Sequence, residues 1–418
     1  MADPTLAMIP SGYKSGKLYS VLPENGDGDF TTFTRSTIGT RVNKGGFIES
    51  VLTNVPRLDY TNGKCPILLL EPTITNLQIR SQEFDNAIWS KTNVTVTANN
   101  IISPSNELNA DKISRTSTAA NYINDILTKS ASQLEYTSSI FVKQGEGDYF
   151  ALRVQGNYSD RIDIRFQFST KSIIYSNAAS SNAILRSTSV KEYNNGWFRI
   201  SISYLSDTRN LLGNYFSARS TSGNIDGGDT SSTAFVYLWG AMIQQNTFLT
   251  SYIQTTNIQV SKSEDVCQDS GDLALFNSAE GSMFVDIEKS IKDSSSGRIT
   301  ISDGSSNNRV TIGKESNNNQ FRLFVAHTNG TIDAQKYTNV DFNVRNKFII
   351  TWKLNDFKFY QNGSLIHFDI SGSVPTGLNA LAFNENNLGG QDFFGQINNV
   401  QYYNTAITQA EAQALTTI

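Results

Sequence analysis

The 418-residue sequence holds two cysteines, two histidines and eight prolines, and it has no excess of positive charge. Cys65 and Cys267 lie far apart in the chain, so no disulfide framework is implied. Whether the two pair is left open by sequence, and two buried thiols are the plainer alternative. His327 and His367 have no paired-ligand spacing, which argues against a zinc or iron site, and no metal or cofactor is expected. Lys and Arg number 34 against 38 Asp and Glu, a net charge of −4, whereas a nucleic-acid partner calls for a basic excess that displaces phosphate counterions. No apolar run approaches the ~18 residues that cross a bilayer, so no membrane insertion is expected. The start, Met1-Ala-Asp-Pro-Thr5, lacks the basic and apolar segments of a secretion signal, and no export on that basis is expected.

What is present is polar and aromatic. Ser, Thr and Asn make up roughly three residues in ten. Yet 24 Phe, 17 Tyr and 4 Trp supply the bulk for packed cores. Six of the eight prolines (Pro4, Pro10, Pro23, Pro56, Pro66 and Pro72) fall in the first 72 residues, among glycines and acidic turns. Proline has no amide donor and a fixed φ, so long helices and central strands are disfavoured there. Too little surface is available for this stretch to bury by itself. Residues 1–75 are therefore expected to form an irregular attachment arm that lies against a partner.

From residue 76 to 257 the pattern is β. Ser138-Ser-Ile-Phe-Val-Lys143, Tyr149-Phe-Ala-Leu-Arg-Val154, Arg161-Ile-Asp-Ile-Arg-Phe-Gln-Phe168 and Trp197-Phe-Arg-Ile-Ser-Ile-Ser203 alternate apolar with polar, which puts one face in a core. A second β block covers 258–418, with Met283-Phe-Val-Asp-Ile-Glu288, Phe321-Arg-Leu-Phe-Val325 and Lys347-Phe-Ile-Ile-Thr-Trp352. Asn362-Gly363 predicts a type I′ hairpin turn. Thr408-Gln-Ala-Glu411 is a capping box that predicts a helix in the tail. The fold class is all-β: an irregular N-terminal arm followed by two antiparallel sandwiches.

Three stretches resemble known families. Leu6-Ala-Met-Ile-Pro-Ser-Gly-Tyr-Lys14 with Lys17-Leu-Tyr19, Thr40-Arg-Val-Asn43 and Cys65-Pro-Ile-Leu-Leu-Leu-Glu-Pro72 resemble the N-terminal block of tailed-phage virion proteins. That resemblance implies a virion component, head or tail, assembled in the host cytoplasm, with other virion proteins as partners. It implies virion attachment through Met8, Ile9, Pro10, Tyr13, Lys14, Tyr19 and Arg41, and a homotrimer like those of phage fibres. Glu83-Phe-Asp-Asn-Ala-Ile-Trp-Ser-Lys91, Asn195-Gly-Trp-Phe-Arg199 and Leu238-Trp-Gly-Ala-Met242 are similar to a phage carbohydrate-binding-type jelly roll. Gln244 and Gln245 stand where relatives carry an acidic residue. Phe348-Ile-Ile-Thr-Trp352, Lys358-Phe-Tyr-Gln-Asn-Gly363 and Phe394-Gly-Gln-Ile-Asn-Asn-Val-Gln-Tyr-Tyr-Asn404 resemble the concanavalin A-like, laminin-G-type lectin/glucanase sandwich. That fold identifies an architecture better than an activity.

Candidate chemistry is sparse. A hydrolase on this second sandwich would need paired carboxylates as nucleophile and proton donor. Asp286 and Glu288 share a strand face, but Phe284 occupies the place of the third acidic residue, and an ordinary exposed strand face explains the pair. No Gly-x-Ser-x-Gly elbow occurs. Asp303-Gly-Ser-Ser-Asn-Asn308 has oxygen ligands without the regular spacing of a calcium loop. Trp197, Trp239 and Trp352 fit core positions. Sugar recognition needs an exposed ring with hydrogen-bonding neighbours, and Tyr158, Asp160 and Arg161 in a turn are the candidates for glycan contact. The expectation is a non-enzymatic virion structural protein, with no catalytic residue, displaying modules for a host surface glycan. A polysaccharide depolymerase using Asp286 and Glu288, and a decoration without ligand, are the alternatives.

Overall fold

The computed structural model describes residues 2–178, 182–223, 225–292, 295–316 and 319–418. The chain is almost entirely antiparallel β-structure, with one α-helix among the described residues, Gln409–Thr416. That helix starts as its capping box predicts: the Thr408 side chain accepts from the Glu411 amide at 3.3 Å, and the Thr408 amide donates to the Glu411 carboxylate at 3.1 Å. No described helix is long and apolar enough to cross a membrane.

Two compact units divide the chain. One holds residues 74–262 with 45–49; the other holds 1–44, 50–73 and 263–418. In the first, hereafter the middle unit, two six-stranded sheets enclose a core. One sheet runs in the order Ser90–Thr92, Tyr122–Thr128, Leu211–Arg219, Tyr149–Asn157, Asp160–Gln167 and Ser172–Ala178. The other runs Val94–Ile102, Leu108–Arg115, Phe235–Gln244, Glu135–Glu146, Trp197–Leu205 and Ile184–Tyr193. The alternation expected from sequence sets the faces. Phe150, Leu152, Val154, Ile162, Ile164 and Phe166 enter the core opposite Ile140, Val142, Ile200 and Ile202.

The outer unit is a second sandwich, of an eight-stranded and a nine-stranded sheet. Asn362 and Gly363 turn with φ of 48° and 83°, joining Asp356–Gln361 to Ser364–Asp369 as the Asn-Gly pair predicts. Here the residues expected to form an arm take a different place. Their strands are short, two to five residues, as the proline density requires. They do not stand apart. Leu6–Met8 pairs with Gly395–Tyr403, and Ile67–Leu70 pairs with the start of that same strand. Phe30–Thr34 pairs with Val266–Ser270. Leu6, Met8, Leu18, Phe30, Phe33, Leu58, Leu68 and Leu70 are buried in one core with Met283, Val285, Ile350 and Trp352. The partner that this segment needs is thus the chain's own residues 263–418.

A buried ionic cluster locks this arrangement. Arg35 meets Asp265 at 2.9 Å, Arg57 meets Glu71 at 2.8 Å and also contacts Asp265, and the guanidiniums and Asp265 are fully buried. Arg35 spends its remaining donors on the carbonyls of Thr37, Val51, Leu52 and Val55. Burial works to lower the pKa of Arg57, but Asp265 and Glu71 outweigh it and raise it.

Candidate functional site

The six-stranded sheet that starts at Ser90–Thr92 has one face in the core and one facing away. Along Asp160–Gln167 the even positions Ile162, Ile164 and Phe166 are core, so Arg161, Asp163 and Arg165 share the opposite face. Arg153 and Gln155 on Tyr149–Asn157, and Tyr215 on Leu211–Arg219, join them by the same parity. Ile225, fully buried, packs on Ala151 and Tyr215 and brings Asp226 over the sheet.

Arg153 is the hub of this face. Its Nε and Nη2 donate to Asp163 at 2.7 and 3.2 Å, and its Nη1 donates to Asp226 at 2.7 Å. Arg161 donates from Nε to Asp163 at 3.2 Å and from Nη1 to the Tyr158 carbonyl at 2.6 Å. The Tyr158 hydroxyl donates to Asp226 at 3.2 Å, and its ring lies 4.2 Å from the Arg161 guanidinium. Burial works to raise the Asp226 carboxyl, but hydrogen bonds and charge from Arg153, with the Tyr158 hydroxyl, hold it below the ordinary carboxylate value. Beside them Gln155 donates to the Tyr215 hydroxyl at 2.8 Å. Farther along the same face, the Arg165 guanidinium lies 3.6 Å from the centre of the Tyr175 ring.

Tyr158 is 55% exposed and Tyr175 38%; among the described residues they are the exposed aromatic side chains of the middle unit. All four tryptophans, Trp89, Trp197, Trp239 and Trp352, are buried. In the outer unit Tyr337 and Phe368 are the exposed rings among the described residues.

Of the three residues expected to contact glycan, the structure brings Tyr158 and Arg161 together and turns Asp160 away. Asp160 shares the parity of Ile162, is 6% exposed, and accepts from Asn182 at 3.1 Å. Asp163 and Asp226 supply the acidic groups instead. Arg153, Asp163 and Arg165 were available to sequence through the alternation that placed Arg161. Asp226 had no local signal, since it reaches Arg153 from 73 residues away.

The residues expected to attach to a virion are scattered in availability. Met8 and Pro10 are buried, so neither presents its side chain to a partner. Ile9 and Lys14 are exposed, while Tyr13, Tyr19 and Arg41 are half-buried, with Arg41 donating to the Tyr13 hydroxyl at 2.8 Å. Both cysteines are free: Cys65 is exposed, and burial pushes the Cys267 thiol up.

Asp286 and Glu288 do share a face, bridged by the Asn398 amide at 3.3 and 3.0 Å. Asp286 is buried and gripped by the Arg345 fork at 2.8 and 2.5 Å. Phe284, two residues before it, is covered by the C-terminal helix together with Ile349, Tyr360 and Ala412. In the Asp303 turn the carboxylate is occupied by Ser305 at 2.9 and 2.6 Å and by Asn308 at 2.8 Å.

Residues 288–413 match the family model of the concanavalin A-like lectin/glucanases superfamily, laminin-G type. That segment lies in the outer unit. Among solved structures, the chain is similar to the CBM40 module of Ruminococcus gnavus IT-sialidase bound to α2,3-sialyllactose, at 16% identity and a TM-score of 0.29, over 36% of this chain and 93% of that one. It is similar to domain 4 of AbnA, a GH43 extracellular arabinanase from Geobacillus stearothermophilus in complex with arabinotriose, at 14% identity and a TM-score of 0.30, over 41% and 82%. Mouse laminin alpha1 domains LG4-5 overlap at 9% identity and a TM-score of 0.22, over 70% and 92%. No curated protein sequence matches the chain.

Proposed function

We propose that this chain is a non-enzymatic glycan-binding protein, and that the outward face of the middle unit, around Tyr158 and Tyr175, takes the saccharide. One observation carries this. The two exposed rings of the unit stand on one face, each against a guanidinium, with carboxylates and an amide between them. An aromatic plane with a few convergent polar groups is what a pyranose ring and its hydroxyls require. The rings are held before any ligand arrives, Tyr158 by Asp226 and Arg161, so little side-chain freedom is lost on binding. Arg161 and Arg165 lie four residues apart on an extended strand, about 13 Å. The ligand is accordingly an oligosaccharide.

The place of action that fits is the surface of a phage particle. This rests on the resemblance of the first 72 residues to virion proteins, with Ile9 and Lys14 the exposed ones among its candidate attachment residues. A single glycan contact of millimolar strength amounts to about 4 kcal/mol. Many copies on one particle raise the effective grip by roughly 10²–10⁴-fold. Depolymerisation by Asp286 and Glu288 is disfavoured by the Arg345 fork, which occupies both Asp286 oxygens.

The test is binding of the full chain to a glycan array, beside the Tyr158→Ala variant. Binding that falls at least tenfold in the variant, with an unchanged melting curve, supports this function. Absence of binding to every saccharide, or binding indifferent to Tyr158→Ala, overturns it.

A further inference from the structure

We infer that the saccharide is acidic and that Arg165 receives its carboxylate, an inference that rests on the outward face of the middle unit being the binding surface. Arg165 differs from every neighbouring arginine on that face. Arg153 is saturated by Asp163 and Asp226, Arg161 is engaged by Asp163 and the Tyr158 carbonyl, and Arg219 donates to the Gly227 and Gly228 carbonyls beside Asp229. Arg165 has no hydrogen bond and no ion pair among the described residues, and its Nε is shut away from solvent without an acceptor. Its guanidinium nonetheless sits over the ring of Tyr175, 3.6 Å from its centre, on the strand directly paired with its own.

Charge points the same way. Arg153 and Arg161 share Asp163 and Asp226, Arg219 and Arg115 share Asp229, and Arg165 has no ion pair among the described residues, in a chain whose net charge is −4. A guanidinium pinned by its plane and free at its terminal nitrogens presents two parallel N–H donors, the geometry that a planar carboxylate accepts. A single guanidinium without a carboxylate of its own suits one monoanionic group per site. The stacked Tyr175 ring gives the sugar bearing that group an apolar surface at the same point. A uronic acid residue, carboxylate on a pyranose, has both features.

The experiment uses the full chain and defined polymers in affinity electrophoresis: polygalacturonate, the same polymer with its carboxyls reduced to alcohols, dextran sulfate and poly-glutamate. Retardation by polygalacturonate at least tenfold stronger than by its reduced form, and lost in Arg165→Gln with the melting curve intact, is the expected result. Arg165→Lys keeps the charge without the fork and is expected to recover little of it. Tyr175→Leu, which removes the platform and leaves the charge, is expected to weaken polygalacturonate binding and serves if Arg165→Gln fails to fold. Equal retardation by the reduced polymer, with Tyr158→Ala still abolishing it, overturns the acidic assignment and leaves the saccharide site standing. Retardation by dextran sulfate or poly-glutamate as strong as by polygalacturonate also overturns it, as general attraction to polyanions. Failure of every saccharide polymer to bind removes the site itself and the inference with it.

Discussion

Asp265 accepts from two arginines whose side chains, like its own, have no access to water. Removing one member of a buried ionic group strands the others, at about 3–5 kcal/mol. Asp265→Ala is therefore expected to lower the unfolding free energy of the outer unit by that amount, read as a lower urea midpoint, while fluorescence signals specific to the middle unit keep theirs. A change shared equally by both units would contradict the assignment of Asp265 to one. Residue parity also decides what sequence revealed of the binding face. The run Arg161 to Phe168 shows alternation plainly, and extending it backwards by one position assigns Asp160 to the core side with Ile162. Taking Tyr158, Asp160 and Arg161 as one turn ignored that parity. Asp226, by contrast, is placed by a loop that closes over the sheet, and no neighbouring residue in sequence foretells it.

At the scale of the element, the strand Gly395–Tyr403 is lined on one side by Glu280–Ser290 and on the other by two pieces from the start of the chain, Leu6–Met8 and Ile67–Leu70. Without them the strand would be an open edge with unpaired amides and carbonyls. Leu6 is fully buried, and Leu→Ala at such a site costs about 2–5 kcal/mol. Deletion of residues 2–12 removes Leu6, Met8 and the pairing together, and it is expected to produce an outer unit that exposes the edge and self-associates, visible as oligomers in sedimentation. A monodisperse truncation of unchanged stability would refute this. Long regular strands, the Asn-Gly hairpin and the capped tail helix were legible because each is coded within ten residues. The N-terminal pieces were not, because strands of two to five residues carry no periodicity and their partners lie up to four hundred residues away. Their prolines were read as a lack of structure when they mark only its brevity.

At the scale of the molecule, the two units differ in how they depend on chain continuity. Every residue of the middle core lies between Phe84 and Ile243. The outer core draws on both Leu6 to Leu70 and Cys267 to Tyr402. Residues 74–262 expressed alone are expected to melt as one cooperative transition with Trp197 and Trp239 buried. Residues 263–418 alone, lacking eight core side chains, are expected to bind ANS and give no cooperative melt. A sharp transition in the second fragment would show that the first seventy residues decorate the sandwich rather than complete it.

The Glu71 carbonyl accepts from the Asp265 amide at 3.0 Å, the Thr73 hydroxyl accepts from the Glu264 amide at 3.1 Å, and Ile74–Asn76 pairs with Val260–Lys262. For the long excursion of residues 74–262, the polypeptide leaves the sandwich and returns to it at adjoining points. Residues 74–262 form an insertion between these two points that can be exchanged as a cassette, by recombination or by cloning, together with the short segment 45–49 that belongs to the same unit.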